Sequence, residues 1–435
     1  MLVAHPPSLF FHSTANRKPH THSSNPQQPV LTMTKSSPCI IDCDPGIDDT
    51  LAILHAMGSP KVDVKAITLC YGNTNRDNVT KNLFTILHVL GKEVSSEHLA
   101  TIPAGPNRDR LEHIRTKKPV IAVGADAPLV VEPAYGEDFH GPDGLGRLHL
   151  SDPDLAPSDW AEILGLLDPE GVGKELDKAA GDLPSEKLFT LSRKPAHDEI
   201  LTQLAEAELN TVTIIALGPM TNLSLAYEKD PATFARVKQV ICMGGCLNMA
   251  GNVTPVAEFN FHACPHSVHS ILQATINEDP AKAIKLYMLP TDVTHQVSLE
   301  SKTLKEYVTP LGTPLSKFST LLLGYLFDLL VTKLHYTAMN LHDPLCIGFF
   351  IDLEHEADIT QVDWHVEEHD IRIETEGRLT RGMLVVDRRI KSTKPAPGSH
   401  SRTQVVLKAD PERYLASMLY DIWGVTNYNE HAKDV

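Results

Sequence analysis

Four aspartates lie within eight residues near the start of the chain, directly after an apolar run. Asp42 and Asp44 are two residues apart, so on a strand their side chains share one face. Pro45-Gly46 then turns the chain, and Asp48 and Asp49 open the next helix. Carboxylates this close repel one another unless a cation binds, and their hard oxygens favour Ca²⁺ or Mg²⁺ over Zn²⁺. The pattern therefore predicts a divalent-metal site at a strand end; the alternative interpretation is a helix N-cap beside a solvated loop.

The composition narrows the class of protein. The chain has 435 residues, of which 42% are hydrophobic, which is enough for two domains or for one large α/β domain with insertions. A formal net charge of -16 argues against nucleic acid or an anionic membrane as a partner, and no uninterrupted apolar run of about 18 residues is present. The seven cysteines are scattered and lack zinc-ligand spacing, so we expect them to be reduced. These features are typical of a cytoplasmic enzyme that acts on a small molecule.

The first segment of the chain differs from the rest in composition. Residues 1–36 contain no Asp or Glu and are rich in Ser, Thr, His and Pro, which is typical of a disordered extension. An organellar transit peptide is the alternative, although arginines are too few for it. Met33 lies just before the first predicted strand, so initiation there would make residues 1–32 dispensable.

Strand-like and helix-like segments alternate from residue 38 onward. Strands are predicted at 38–43, 62–71, 119–123, 211–217, 237–243 and 284–289. Helices are predicted at 48–57, 75–91, 197–209, 220–228 and 264–274. This alternation predicts an α/β fold with a mostly parallel, Rossmann-like central sheet and helices on both faces. Ligands bind beyond the carboxyl ends of such strands, where Asp44, Asn73, Leu217 and the segment after Met243 would lie.

Two parts of the chain depart from this alternation. Residues 151–194 are acidic and broken by Pro and Gly, with weak helices predicted at 158–167 and 173–180, so they form an insertion that is either a lid or a solvated loop. The C-terminal part begins with a long apolar helix over 313–334. It continues as a hairpin-rich end with strands at 358–366, 370–375, 383–387 and 403–407 and a closing helix at 410–422. The folded domain would thus span 37–425, with a tail over 426–435.

Four further motifs have side chains suited to catalysis rather than to architecture. They are Tyr71-Gly72-Asn73, the run from Phe139 to Gly144, the run from Gly251 to Asn260, and His342-Asp343-Pro344. Together with the aspartate run and the segment from Ala216 to Asn222, they resemble the inosine-uridine-preferring nucleoside hydrolases, and all occur in that family's order. The resemblance covers roughly residues 38–150 and 195–425.

The resemblance implies a calcium site and a ribonucleoside substrate. In that family one Ca²⁺ binds the 2′- and 3′-hydroxyls of the ribose together with a nucleophilic water. The matching ligands here are Asp44, Asp48, Asp49, Asp343 and the backbone carbonyl of Leu217. Asp42 belongs to the same motif and would support these ligands from behind.

The resemblance also implies roles for the remaining residues of these motifs. Asp44 would be the general base that deprotonates the water, and His342 would protonate the leaving base, a role that suits a side chain titrating near neutrality. Residues at the sugar-binding positions are Asn73, Asn252, Glu258 and Asn260; Met243 and Phe259 would pack on the sugar or base, and His140 would contact the base. His262 and His266 are interpreted as surface or packing residues.

Several points stay open at this stage. The large insertion and one extra residue between Met243 and Asn252 leave the preferred base undetermined. A phosphatase of the haloacid dehalogenase type could use Asp42 and Asp44 as nucleophile and acid, although Pro45-Gly46 and the second aspartate pair argue against it. An inactive nucleoside-binding or calcium-binding homologue is the other alternative. Family members are usually dimers or tetramers, so we expect a homo-oligomer.

Overall fold

The computed structural model of the protein describes residues 35–167, 187–276, 283–389 and 401–428. Nearly all of the extension predicted over 1–36, the helix predicted over 173–180 and most of the tail predicted over 426–435 lie outside these residues. The strands are β1 Ser37–Cys43, β2 Val62–Leu69, β3 Val120–Val123, β4 Thr190–Leu191, β5 Thr213–Ala216, β6 Gln239–Met243, β7 Leu286–Leu289, β8 Ser298–Glu300, β9 Ala338–Asn340, β10 His365–His369, β11 Ile371–Ile373, β12 Leu384–Val386 and β13 Thr403–Lys408.

Helices connect most of these strands. In chain order they are α1 Ile47–Gly58, α2 Arg76–Glu93, α3 Ser96–Thr101, α4 Pro106–Thr116, α5 Glu137–His140, α6 Leu148–Ser151, α7 Trp160–Leu167, α8 Ala196–Glu206, α9 Thr221–Lys229, α10 Pro231–Phe234, α11 Phe259–Ala263, α12 Pro265–Ala274, α13 Thr291–Thr294, α14 Ser301–Thr303, α15 Pro314–Leu329, α16 His342–His355 and α17 Pro411–Trp423. Short turns of 3₁₀ or π geometry extend several of them.

The central sheet reverses its winding direction beside β1. Within the described residues it has nine strands in the order β10-β13-β7-β6-β5-β1-β2-β3-β4, all parallel to their neighbours except the edge strand β10. The chain builds outward from β1 to β4, and β5 then returns to pair with the other side of β1. A crevice for ligands forms beyond the carboxyl ends of the strands at such a reversal. Residues that directly follow β1 and β5 therefore meet in one place.

Two hydrophobic cores cover the two faces of this sheet. Along β1, Ile41 packs into one core and Ile40 into the other, as the two-residue repeat of a strand requires. Helix α1 has no exposed face, because all its residues are buried against β2, α16 and α17. A helix buried all round is held firmly. Asp48 and Asp49, in its first turn, are therefore carried by a rigid element.

The α/β fold predicted from the sequence is confirmed, with one local difference in the C-terminal part. The strand predicted over 358–366 was wrong except at its last two residues: Ile359–Val362 is a 3₁₀ turn, because the Asp358 carboxylate accepts a hydrogen bond from Thr360 N and starts a turn. The strand is His365–His369 instead. The helix predicted over 264–274 is present as Pro265–Ala274, and Cys264 separates it from α11.

Among the described residues, one helix is long and apolar enough, by length and composition, to cross a membrane. It is Pro314–Leu334, and 56% of its apolar window is buried inside the protein. Its N-terminal part packs against α2. This burial is typical of a core helix, and length and composition alone are weak evidence for a membrane span.

Candidate active site

Asp44 stands at the centre of the crevice, one residue beyond β1. Its Oδ2 accepts a hydrogen bond from Asn73 N at 2.6 Å, which fixes the direction of the carboxylate. Its Oδ1 is buried and has no hydrogen-bond partner among the described residues. That oxygen lies against Gly218, where even a β-carbon would clash with it. The close approach of the peptide after Leu217 to Asp44 therefore depends on glycine.

Three more carboxylates gather beside Asp44. Asp48, Asp49 and Asp343 are buried, and one oxygen from each lies within 4.8 Å of the others. Asp49 also caps α1, because it accepts a hydrogen bond from Gly46 N at 3.0 Å. Asp48 Oδ1, like Asp44 Oδ1, has no hydrogen-bond partner among the described residues. These three side chains come from distant parts of the chain, since Asp48 and Asp49 lie in the first turn of α1 and Asp343 lies in the first turn of α16.

Burial and mutual repulsion dominate the electrostatics of this cluster. Burial raises the pKa of Asp48 and of Asp49 to about 6, with like charge adding to the shift at Asp49. The pKa of Asp44 and that of Asp343 are raised further, by burial first and then by neighbouring carboxylates. A bound divalent cation would reverse these shifts by stabilising the charged forms. All donors are oxygens and two of them lack partners, so the cluster fits a hard cation such as Ca²⁺.

Leu217 and Asp42 meet at the paired ends of β5 and β1, where Leu217 N donates a hydrogen bond to Asp42 O at 2.8 Å. Leu217 O accepts a hydrogen bond from Asn260 Nδ2 at 2.7 Å and is thereby held at the end of β5. Asp42 Oδ1 accepts hydrogen bonds from Thr68 Oγ1 at 2.5 Å and from Asn222 Nδ2 at 2.9 Å. Burial raises the pKa of Asp42 to about 7. These two hydrogen bonds join Asp42 to β2 and α9 rather than to the cluster, so its supporting role stays a prediction.

The predicted sugar-binding residues after β6 form one segment. The Glu258 carboxylate accepts backbone hydrogen bonds from Gly245 at 2.7 Å, Asn260 at 2.8 Å and Phe261 at 3.2 Å, so it links the loop after β6 to the start of α11. Asn252, which is exposed, accepts a hydrogen bond from the backbone N–H of the half-buried Phe259. Burial raises the pKa of Glu258 to about 6, which leaves it ionised at pH 7.

Asn73 and Met243 lie at the boundary between this segment and the carboxylates. Asn73 Nδ2 donates to Asp49 Oδ2 at 2.8 Å and to Asp44 O at 3.1 Å, so it orients the aspartate loop. Met243 is buried, and its sulfur lies 3.4 Å from Asn260 Nδ2. The structure therefore brings the predicted sugar-side residues next to the predicted metal-side residues.

His140 is held against the start of α1. Its Nδ1 accepts a hydrogen bond from Ile47 N at 3.1 Å, and its Nε2 lies 3.9 Å from Asp48 Oδ1. Burial lowers its pKa to about 4, so the ring is neutral at pH 7. Since Nδ1 is the acceptor, Nε2 carries the proton. His140 thus presents a hydrogen-bond donor towards the carboxylates.

His342 is half-buried, and its ring is also neutral. Its Nδ1 is 2.7 Å from Thr294 Oγ1, and its ring centroid is 5.4 Å from that of His295. Burial, followed by repulsion from His295 and His140, lowers its pKa to about 3. The sequence-based expectation that His342 titrates near neutrality is not met, because burial cannot be read from its sequence neighbours.

Sequence reasoning missed Asn82, which joins two parts of the site. Asn82 Nδ2 donates to Pro45 O at 2.9 Å and to Asp143 O at 2.8 Å, while its Oδ1 is 3.0 Å from His149 Nε2. It therefore ties the aspartate loop to the loop that follows His140. The sequence did contain a signal for it. Asn82 lies three residues after Val79 on the buried face of α2, and asparagine is a poor helix former, so its presence there indicates a specific contact.

Comparisons with known proteins agree with this arrangement. The sequence model of the family described as inosine-uridine preferring nucleoside hydrolase matches residues 39–416. The chain is 28% identical over 351 residues to the pyrimidine-specific ribonucleoside hydrolase RihA of Salmonella arizonae, covering 80% of this chain and 88% of that protein. It is 28% identical over 375 residues to the inosine-uridine preferring nucleoside hydrolase of Leishmania major, covering 86% and 94%.

A solved structure shares the fold. The inosine-guanosine nucleoside hydrolase IG-NH superposes with a TM-score of 0.65 at 24% identity, over 89% of this chain and 98% of that one. At 24% identity the superposition supports the fold alone. The family assignment depends on the match of the family's sequence model to residues 39–416.

Proposed function

Because the chain belongs to the inosine-uridine preferring nucleoside hydrolase family, it is a hydrolase of N-glycosyl bonds in nucleosides, and we propose that it cleaves uridine and inosine with Ca²⁺ as its cofactor. The family is metal-dependent, and the aspartate cluster could bind a metal. The observation that carries the choice of a hard cation is the pair of buried, unpartnered carboxylate oxygens on Asp44 and Asp48. The products would be ribose and the free base, as in nucleoside salvage.

The ligands of the proposed Ca²⁺ are Asp44, Asp48, Asp49, Asp343 and the carbonyl of Leu217. When bound, the ion would lower the pKa of the attacking water and hold the vicinal hydroxyls of the ribose. Four carboxylates outnumber the two charges of the ion, so the site as a whole stays negative. Excess negative charge beneath the sugar suits a reaction whose transition state places positive charge on the ribosyl ring.

Asp44 is proposed as the general base. Its Oδ2 accepts a hydrogen bond from Asn73 N, and its carboxylate keeps acceptor capacity for both the proposed ion and the attacking water, whose proton it would take. Burial alone raises the pKa of Asp44, and a bound ion would keep the carboxylate ionised and therefore able to act as a base.

His342 is proposed to assist departure of the base. Its ring is neutral and is oriented by Thr294. It would therefore donate a hydrogen bond from the ring nitrogen that carries the proton, rather than act as a positively charged imidazolium. Negative charge that develops on the departing base would draw this proton across. His140, with its proton on Nε2, supplies a second donor next to the cluster, 3.9 Å from Asp48 Oδ1.

We extend the proposal to partners and location. The partner is a small nucleoside rather than nucleic acid or a membrane, which the net charge of -16 supports. We propose a cytoplasmic dimer or tetramer, because members of the family are usually dimers or tetramers. Light scattering of the purified protein measures its molecular mass and so tests the assembly.

The test is release of free ribose from uridine, inosine, cytidine and adenosine by purified protein in Ca²⁺. An Asp77→Asn variant, which alters an exposed aspartate of α2, is the matched control for mutations of the cluster. We expect uridine and inosine to have the highest kcat/KM. Faster cleavage of adenosine or cytidine would overturn the proposed base preference but would still agree with nucleoside hydrolase activity.

Neither alternative function is favoured by the comparisons. A phosphatase of the haloacid dehalogenase type would free phosphate from phosphoesters and leave nucleosides intact. An inactive homologue would bind nucleosides without turnover. The same assay separates both from the proposed function, because only a nucleoside hydrolase releases ribose.

A further inference from the structure

A C-terminal hairpin lies against the sugar-binding segment. The hairpin, residues 371–386, contains β11 and β12, and the segment, residues 244–262, carries Asn252, Glu258, Phe259 and Asn260. Gly382, at φ +82°, packs so closely on His262 that a β-carbon there would lie 2.8 Å from the His262 Cα. Leu384 fills the space beside Gly245, and just after the hairpin Arg388 donates to Asn248 Oδ1 at 2.9 Å. The hairpin therefore contacts both ends of the segment.

The strongest of these contacts is a reciprocal pair between Arg381 and His262. The Arg381 guanidinium lies 2.6 Å from His262 Nε2, and His262 Nδ1 lies 3.2 Å from Arg381 O. A guanidinium can only donate, so Nε2 is the acceptor and Nδ1 must carry the proton that it donates to the carbonyl. Both ring nitrogens are therefore used, and the ring has one orientation and one tautomer.

The pair acts on residues that face the proposed sugar site. His262 belongs to α11, and its backbone N–H donates to Glu258 O at 2.9 Å. Two residues before His262, Asn260 reaches both Leu217 O and Met243 O. A shift of His262 would move Glu258 and Asn260 with it, because α11 is a short helix of five residues. A displacement of about 1 Å at such positions would weaken the contacts that they make with a bound ribose.

We propose that Arg381 is a positioning residue that holds the sugar-binding segment through His262. This inference depends on the proposed function only in taking residues 252–260 as the sugar-binding residues. It gives the C-terminal hairpin a role in the reaction, although none of its residues is a metal ligand in the proposed site.

The test compares Arg381→Met with Arg378→Met. Arg378 is an exposed arginine near the tip of the same hairpin and makes none of these contacts, so it controls for loss of charge. For Arg381→Met we expect KM for uridine and the inhibition constant of free D-ribose to rise about tenfold, with kcat changed less than about threefold. Inhibition by the free base and the affinity for Ca²⁺ should stay within about twofold. Arg381→Lys, which can still donate to Nε2, should recover most of the loss.

The selective effect on ribose separates positioning from a merely structural role. Loss of packing would lower the active fraction and the melting temperature without changing the ratio of ribose inhibition to base inhibition. His262→Phe, which keeps the ring but removes both nitrogens, provides a second variant if Arg381→Met folds poorly. Unchanged ribose inhibition in both variants, or an equal change for ribose and base, would overturn this inference alone. A wild-type protein that releases ribose from no nucleoside would overturn the proposed function and this inference with it.

Discussion

The two ends of the proposed site differ in how their carboxylates are bonded: the metal end is the cluster of Asp44, Asp48, Asp49 and Asp343, and the sugar end is the segment 252–260. At the metal end, Asp44 Oδ1 and Asp48 Oδ1 are buried without a hydrogen-bond partner among the described residues. The Glu258 carboxylate, equally buried, accepts three backbone hydrogen bonds. Unsatisfied buried charge is costly, and a ligand that supplies opposite charge relieves it. The comparison indicates that a bound cation would satisfy the free oxygens of the metal end, whereas the carboxylate of the sugar end is already satisfied by the protein backbone.

The largest expected effect comes from the metal end. Asp44→Asn keeps the size of the side chain but removes the base and one proposed ligand charge. We expect kcat/KM for uridine to fall by about 10³-fold or more, with the melting temperature in the absence of metal unchanged or raised, because repulsion in the cluster is relieved. Ribose release and thermal unfolding measure the two quantities, with Asp77→Asn as control. Retention of more than about a tenth of the activity would remove Asp44 from the catalytic role.

A smaller effect is expected where the two loops are joined. Asn82→Ala leaves the carbonyls of Pro45 and Asp143 without this donor, so we expect about tenfold lower activity and about 2 kcal/mol lower stability. Asn78→Ala is the matched control, because Asn78 lies one turn earlier and reaches only Thr74 and Pro142. Kinetics and urea unfolding of both variants check this. Equal behaviour of the two would show that the link to the aspartate loop is unimportant.

The raised pKa values predict a pH dependence confined to the metal-free protein. Asp48 and Asp49 titrate near pH 6 and Asp42 near pH 7, above their ordinary value of 3.8. The folded state therefore retains carboxylate protons that the unfolded chain has released, and this contribution to stability falls as pH rises from about 4 to about 7, in total by a few kcal/mol. His140 and His342, whose pKa values are lowered from 6.5, contribute in the opposite direction below that pH. The difference in free energy of unfolding between protein in saturating Ca²⁺ and protein in a chelator cancels the histidine contribution, and urea unfolding should show this difference to grow between about pH 5 and pH 7. A difference that does not change with pH would contradict the account.

The smallest effect on activity is expected at Leu217, whose ligand atom belongs to the backbone. Leu217→Ala should lower stability by about 2 to 4 kcal/mol while kcat changes less than about threefold. Leu223→Ala, another buried leucine, is the control for packing alone. A selective loss of Ca²⁺ affinity in Leu217→Ala but not in Leu223→Ala would mean that the side chain itself sets the position of the carbonyl.

Local patterns in the sequence predicted most of the aspartates that the structure brings together at the metal end. Asp44, Asp48 and Asp49 lie within six residues, and the apolar run of β1 before them determines both the strand and the burial of the loop. Asp343 was found only through its His-Asp-Pro motif, because nothing local indicates that α16 returns to the same crevice. The parallel sheet followed from the alternation of short apolar runs with amphipathic segments.

The features that were missed depend on contacts between distant parts of the chain. His262 and Arg381 are 119 residues apart, and Asn82 and Asp143 are 61 apart, so neither pair has a local signature. His262 was interpreted as a surface or packing residue because its partner was unknown. The neutral state of His342 was missed for the same reason, since its pKa depends on burial and on His295 and His140.

The most direct test of the account is ribose release from uridine after removal and return of the metal. Protein stripped with a chelator and dialysed should be inactive, recover on addition of Ca²⁺, and gain thermal stability as the ion saturates; at a concentration of one hundred times Kd the gain is about 2.7 kcal/mol. Asp343→Asn, run in parallel, should need more Ca²⁺ for the same recovery. Full activity of the stripped protein, with no thermal shift on addition of Ca²⁺, would contradict the claim that a cation completes this site.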